Sequence, residues 1–471
     1  MNRFLTKGRV IAILVVLVLI VGGWFLYSYA KSHKQEFAVG GLSLLTKVTK
    51  LLPIEADTKQ EIATVDSLVS TFTKQDGVTH TLLVMLQNNY ELRPGGGFLG
   101  QYGVLKVKDG KIVSFSVEDA NLLDQRITAK ITPPYPLTRY MQIKKWKFRD
   151  SNWSPSFPEN VAKAEYFYRL GGGYEKFEGA IAVNADVLND VLGVTGPITI
   201  PGFGTYSKDG GAIDLEEDVE KAYLGDDVPA ELKQARKNVM KKLAAEIVSH
   251  VSGIGDLKKL TDLGLEELRN KNVQLYFKDE ALQKQVEAVH WDGEVEKDWT
   301  KDYLMVVDAN VGALKSDYYV KRSLDYVVDF TVEKPTATVT YTYDHTATHG
   351  DWRTSDYHSY ARVIAPKGSV YVENSRQKTG GVSSADSADW NKSVFGYKVD
   401  CLIGQTLPTS ISYTLPSTVT AENYELLIQK QSGTGTIPVK VTVKAKDKEY
   451  VQTADLRKDL RLSFRTTDEK R

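Results

Sequence analysis

His80-Thr81-Leu82-Leu83-Val84-Met85-Leu86, running directly into Gln87-Asn88-Asn89-Tyr90-Glu91-Leu92-Arg93-Pro94-Gly95-Gly96-Gly97-Phe98, is the stretch from which the rest of the chain can be ordered. The first seven residues are short, apolar and bounded by turn formers, which predicts a buried strand. That strand ends on a glycine-rich loop. Gly95, Gly96 and Gly97 tolerate positive φ and carry no Cβ to hold a ligand away, so Arg93 is expected at the lip of a strand-end crevice with Glu91 beside it. A guanidinium offers a planar fork of donors suited to phosphate or carboxylate. The plainer alternative is a tight strand-to-strand turn in which Arg93 pairs with Glu91. The spacing is neither a dinucleotide fingerprint nor a P-loop, because no G-K-[ST] comes after it and no helix opens. Beyond the loop, Tyr102 to Lys108, Asp109-Gly110 and Lys111 to Val117 make a hairpin with an Asp-Gly turn.

Upstream, residues 10–30 carry no charged side chain. At ~1.5 Å per residue they can cross a hydrocarbon layer of ~30 Å. Arg3, Lys7 and Arg9 precede them, so the positive-inside rule predicts a single-pass plasma-membrane protein with residues 1–9 in the cytoplasm and the bulk outside. Cleavage as a signal peptide at Ser28-Tyr29-Ala30 is the competing reading. Residues 31–79 read as a helical stalk with a break near Pro53. The lone Cys401 excludes an intrachain disulfide, which is compatible with export. Sixty basic residues balance sixty acidic ones, so a nucleic-acid partner is not expected.

Downstream of the hairpin, an insertion with Pro133, Pro134 and Pro136 leads to Lys144, Lys145, Trp146, Lys147, Phe148 and Arg149, a group able to clamp an anionic headgroup or a sugar, or to be a solvated edge. Pro158 and Gly171 punctuate a helix whose approach carries Arg149 and Asp150 near its N-terminus. Gly179 to Asn184 is another buried strand, and helix and strand alternate from there, as in an α/β layer. A long helix from about residue 229 to 251 places Arg236 at the border of its apolar stripe, where it needs a partner, either a phosphate or an internal carboxylate.

Asn88 to Phe98, Arg149 to Pro155, Gly179 to Asn184 with Thr195-Gly196-Pro197, and Asn310 to Arg322 together resemble domain of unknown function 4012, a bacterial membrane-anchored family. More loosely, the order of elements is similar to the LytR-CpsA-Psr proteins, which move cell-wall glycopolymers from polyprenyl-pyrophosphate carriers onto peptidoglycan. The resemblance implies an α/β domain in which Arg93 and Arg236 match pyrophosphate-binding arginines. Two positions depart from it. Where that family carries a metal-binding Asp this chain reads Gly97-Phe98-Leu99-Gly100-Gln101, and its Ser-x-Pro-Arg-Asp strand end stands here as Ser116-Val117-Glu118-Asp119.

From residue 313 the apolar period becomes two, predicting an antiparallel sandwich over 313–471 after an α/β domain over 80–312. Asp344, His345, His349, Asp351 and His358 read as a polar loop tip, with a metal site as the weaker alternative. The expected fold is therefore α/β: an N-terminal transmembrane helix, a LytR-CpsA-Psr-like α/β domain, and an all-β C-terminal sandwich. The expected function is an envelope protein that binds or transfers a polyprenyl-(pyro)phosphate-linked glycopolymer, with peptidoglycan and the bilayer as partners. Arg93, Gly95, Gly96, Gly97, Arg149 and Arg236 would bind the ligand, Asp119 and Asp150 would serve the chemistry, and Mg²⁺ is the candidate cofactor. The alternative is a non-catalytic surface scaffold or a glycan- or protein-binding module.

Overall fold

The computed structural model describes residues 56–220, 254–372, 381–422 and 424–465, with isolated helical positions between 239 and 250. The expected anchor (10–30), the first half of the stalk and Arg236 lie outside the described residues. Among the described residues no helix is long and apolar enough to cross a membrane.

The chain begins with α1 (Ala56–Thr73), β1 (Thr79–Asn88), β2 (Phe98–Lys108), β3 (Lys111–Asp119), α2 (Ala120–Arg126) and α3 (Tyr135–Met141). It continues through α4 (Phe157–Leu170), β4 (Gly179–Asn184), α5 (Val187–Thr195), β5 (Ile198–Ile200), β6 (Gly204–Tyr206), α6 (Gly211–Glu220), α7 (Ile254–Arg269), β7 (Val273–Phe277) and α8 (Glu280–Ala288). One five-stranded sheet, in the order β3-β2-β1-β4-β7, forms the centre of this first lobe. Only the β1–β4 pair is parallel.

Because successive residues of a strand point to opposite faces, β1 feeds two cores at once. Leu82, Val84 and Leu86 pack with α1, α5, α7 and α8 on one face, while Leu83 and Met85 pack with α2 and α4 on the other. Burial on both sides explains why β1 reads as an unbroken apolar run. The Asp109-Gly110 turn has φ of 51° and 73°, the double positive φ that a type I′ hairpin needs. Gly171 closes α4, its N–H donating to Phe167 O at 2.9 Å.

The second lobe is largely β. It comprises β8 (Asp302–Val307), β9 (Val320–Asp329), β10 (Thr336–His345), β11 (Tyr357–Pro366), β12 (Val370–Tyr371), β13 (Ser383–Ser387) and β14 (Lys392–Cys401), then β15 (Thr406–Thr414), β16 (Tyr424–Ile428), β17 (Ile437–Ala445), β18 (Lys448–Leu456) and β19 (Leu460–Phe464). These strands make two six-stranded sheets, β12-β15-β10-β9-β17-β18 and β13-β14-β11-β8-β16-β19, whose facing residues form one apolar core. Along β10 half-buried and buried positions alternate without a break, as the period of two predicts.

The change of lobe comes earlier than residue 313. Strand β8 lies between β11 and β16 in the middle of a sheet, with all six of its residues buried. A short apolar run with no alternation fits an α/β strand or a central sandwich strand equally well, and here its partners in β11 and β16 lie far downstream.

Candidate functional site

The glycine-rich loop fills its own space. Gly96 N–H donates to Arg93 O at 2.9 Å, Phe98 N–H to Glu91 O at 2.9 Å, and Gly95 N–H to Asn152 O at 3.1 Å, so the turn is held from within and from the segment before α4. A Cβ on Gly95 would lie 2.3 Å from Asn160 Nδ2, and one on Gly97 would lie 2.3 Å from the Asn88 carbonyl carbon. Gly96 has φ of +134°, and a Cβ there would lie 2.7–2.8 Å from Gln87, Asn184 and Ser432. The room these glycines leave is occupied by the protein's own amides and hydroxyls.

Arg93 is correspondingly not at a lip. Its side chain is 1% exposed, and Nη2 donates to Glu91 Oε1 at 2.8 Å while Nη1 donates to Asn310 O at 3.0 Å. The Phe98 ring lies 5.3 Å below the guanidinium. Asp150 Oδ1 stands 3.7 Å from Nε. Burial opposes the Arg93 charge, but Glu91 and Asp150 together outweigh it and hold the pKa above the usual arginine value. Burial pushes the Glu91 carboxyl up, with Arg93 restraining the rise. The crevice geometry expected from the sequence is thus replaced by an internal ion pair, because a segment 217 residues downstream covers the loop.

That cover is a junction between the two lobes. Asn310 N–H donates to Leu92 O at 2.9 Å, Leu92 N–H to Asp317 Oδ2 at 3.0 Å, and Asp317 N–H to Tyr90 O at 3.2 Å. From the turn between β16 and β17, Gln431 Nε2 donates to Arg93 O at 3.1 Å and to Asp308 O at 2.8 Å. Gly433 has φ of +81°, and a Cβ on it would lie 1.8 Å from Gly96 O, so two glycines meet back to back. Arg322 joins Asp308 and Asp317 from β9 with its side chain 6% exposed. Buried polar groups are tolerated where their partners are supplied, and this junction supplies most of them.

Arg149 behaves differently. Its side chain is 40% exposed, Nη1 donates to Asn121 Oδ1 at 3.0 Å, and Nε lies 3.8 Å from both Asp124 Oδ2 and Asp150 Oδ2. Asp150, 2% exposed, therefore stands between Arg93 and Arg149, and the anion around which these two guanidinium groups meet is a carboxylate of the chain itself. Burial raises the Asp150 carboxyl while Arg93 and Arg149 hold it back. Asp119 is exposed and caps α2, accepting from Asn121 N–H at 2.7 Å. Asp124 is buried, and desolvation pushes it up to about 6 against the Phe148 N–H and Arg149.

Outside this knot, Arg149, Lys144, Lys145, Lys147 and Asp124 line an open depression of about 490 Å³ between α2 and the end of α3. Lys147 Nζ donates to Asp124 O, but Lys144 and Lys145 are exposed and form no ion pair among the described residues. On the same segment Trp146 lies under Lys163 Nζ at 4.5 Å, and Lys163 is also 5.5 Å from the Tyr166 ring. This is where cations stand open to solvent beside aromatic faces.

Among the described residues, Asp344, His345, His349, Asp351 and His358 do not converge on a metal-ligating group. His345 Nε2 bonds Ser355 O at 2.9 Å, His358 pairs with Asp400 at 2.5 Å, and Asp351 pairs with Arg353 at 3.0 Å. Glu287, Asp292 and Glu294, which no sequence pattern singles out, are brought together by the bend after α8. Their signal in the sequence is only three acids within eight positions.

Fold and junction together define a two-lobed protein whose most distinctive residues join an α/β lobe to a β lobe. Residues 78–223 match the family described as protein of unknown function DUF4012, and this part of the chain carries that family's pattern. Among solved structures, the Lin1025 protein from Listeria innocua is 12% identical, covering 46% of this chain and 79% of its own at a TM-score of 0.24. Protein gbs0355 from Streptococcus agalactiae is also 12% identical, covering 46% of this chain and 74% of its own at a TM-score of 0.26. No curated protein matches the chain.

Proposed function

We propose that this is a membrane-anchored, extracytoplasmic envelope protein that acts as a binding scaffold, without transferring the ligand it binds. Residues 10–30 would anchor it, with Arg3, Lys7 and Arg9 on the cytoplasmic side. The loose sequence resemblance to the LytR-CpsA-Psr order of elements supports this reading, in which the depression lined by Lys144, Lys145, Lys147 and Arg149 meets the phosphate or sugar of a polyprenyl-linked glycopolymer. The observation that carries the reading is the burial of Arg93 against Glu91 and Asn310, which takes the arginine best placed for a pyrophosphate out of reach of one. The transferase reading keeps one support, the pairing of Arg149 with an Asp124 whose carboxyl is pushed up to about 6 at the edge of the same depression.

Binding of a short-chain polyprenyl phosphate to the full chain held in detergent micelles, against phosphatidylglycerol, tests the proposal. Preferential binding of the polyprenyl phosphate that is lost in Lys144→Glu/Lys145→Glu supports it. Equal binding by the reversed variant removes the depression as the binding surface. Turnover of a polyprenyl-pyrophosphate glycan by the wild type would overturn the non-catalytic reading.

A further inference from the structure

We propose that Glu287, Asp292 and Glu294 form a binding site for a hard divalent cation of the calcium and magnesium class. One carboxylate oxygen from each residue lies within 4.8 Å of the other two. Ligand atoms on opposite sides of a calcium ion, at about 2.3–2.6 Å each, are separated by a similar distance, so a single ion can touch all three. Oxygen-only donors favour such hard cations over zinc or copper.

The three acids are held in place by the fold. Glu287 sits in the last turn of α8, the negative end of the helix dipole, where an acidic side chain is disfavoured unless something else holds it. Asp292 and Glu294 flank Gly293, whose φ is +60° and whose absent Cβ leaves room for Gln274 Nε2, 1.8 Å from where it would stand. The bend is pinned by Leu275 N–H to Trp291 O at 2.9 Å, Trp291 N–H to Val286 O at 3.1 Å and Phe157 N–H to Gly293 O at 3.2 Å.

The independent sign of a ligand is Asp292 itself. It is 6% exposed, and among the described residues no cation lies within ion-pair distance of it and no other side chain donates to it. Of the cations lining the same cleft, Lys271 pairs with Asp459 at 2.8 Å, Lys297 with Glu294 at 2.9 Å and Arg269 with Glu61, and neither Lys458 nor Arg461 lies within ion-pair distance of Asp292. A buried carboxylate without a counter-charge is costly, and a bound cation removes that cost. All three acids line a cleft of about 660 Å³ that also reaches Leu427, Gln429 and Asp459 of the β lobe, so water can complete the coordination shell. An ion here would fasten the last helix of the α/β lobe to the connector that enters β8.

The test is calorimetric titration of the full chain, stripped with chelator, with calcium chloride and with magnesium chloride. Terbium luminescence excited through the adjacent Trp291 gives a second readout. One-to-one saturable uptake of either ion is expected, with a rise in melting temperature. Asp292→Asn should bind at least tenfold more weakly yet melt no lower than the wild type without cation, and Glu296→Gln in the same cleft should bind as the wild type does. If Asp292→Asn fails to fold, Glu287→Gln carries the same expectation. No saturable uptake at millimolar calcium or magnesium, or wild-type affinity in both Asp292→Asn and Glu287→Gln, overturns the proposal.

Discussion

Arg93 and Arg149 approach the same carboxylate, Asp150, at 3.7 and 3.8 Å, yet they belong to different kinds of place. Arg93 is sealed beneath the second lobe with Glu91 and a backbone carbonyl for company, whereas Arg149 stands at the rim of an open basic depression. The first is a structural cation whose loss would strand a charge in the interior. The second remains available to something outside the chain. The contrast teaches that a guanidinium beside glycines is a ligand group only when nothing from elsewhere in the sequence arrives to cover it, and here Asn310, Gln431 and Gly433 do arrive.

Substitutions can break this contrast or sharpen it. The largest effect is expected from Arg93→Ala, which leaves Glu91 unpaired in the interior. A loss of about 3–5 kcal/mol in denaturant unfolding is expected, against less than about 1 kcal/mol for Arg149→Ala. Equal losses would erase the distinction. Next comes Gly433→Ala, which sets a methyl against Gly96 O at a positive φ and should cost about 2–4 kcal/mol. Combined with Gly96→Ala it should cost clearly less than the sum of the two, since both disrupt one contact.

A smaller effect should appear with pH. Burial raises Asp124 and Asp302 to about 6 each, so the folded state holds protons that the unfolded chain releases near 4. Stability from these groups is therefore fully present below about pH 4 and is lost as pH rises through 6. Melting temperature should fall across that window, and Asp302→Asn should flatten the slope. Smallest of all, Lys144→Glu/Lys145→Glu should shift unfolding free energy by no more than about 0.5 kcal/mol, because both side chains are exposed. A large destabilisation would mean that the depression, too, is structural.

Much of the scaffold is legible locally. The apolar run 80–86, the Asp109-Gly110 turn, the helix between Pro158 and Gly171, the strand 179–184 and the period of two beyond 313 all appear where propensity and punctuation place them. These features depend on neighbours a few residues apart. The pairing of Arg93 with Glu91, two residues away, is likewise within reach of the sequence as the plainer of two readings. What escapes is the burial of that pair, because Asn310 and Gln431 lie in the segments that follow β8 and β16, whose approach no local pattern encodes. Strand β8 escapes for the same reason, its run of five apolar residues after Asp302 being compatible with either lobe. The acidic trio at 287, 292 and 294 depends on a bend made by His290 and Gly293 at positive φ, which spacing alone does not announce.

The back-to-back meeting of Gly96 and Gly433 also bears on how the molecule is made. Synthesis delivers the glycine-rich loop more than three hundred residues before the turn that shields it. Until that turn emerges, the Arg93 carbonyl lacks the Gln431 amide and the amide of Asn89 lacks the Gly433 carbonyl. The nascent first lobe must therefore wait, with its central turn wet, for the end of the message, and a fragment released before residue 429 would be an unfinished protein rather than a smaller one.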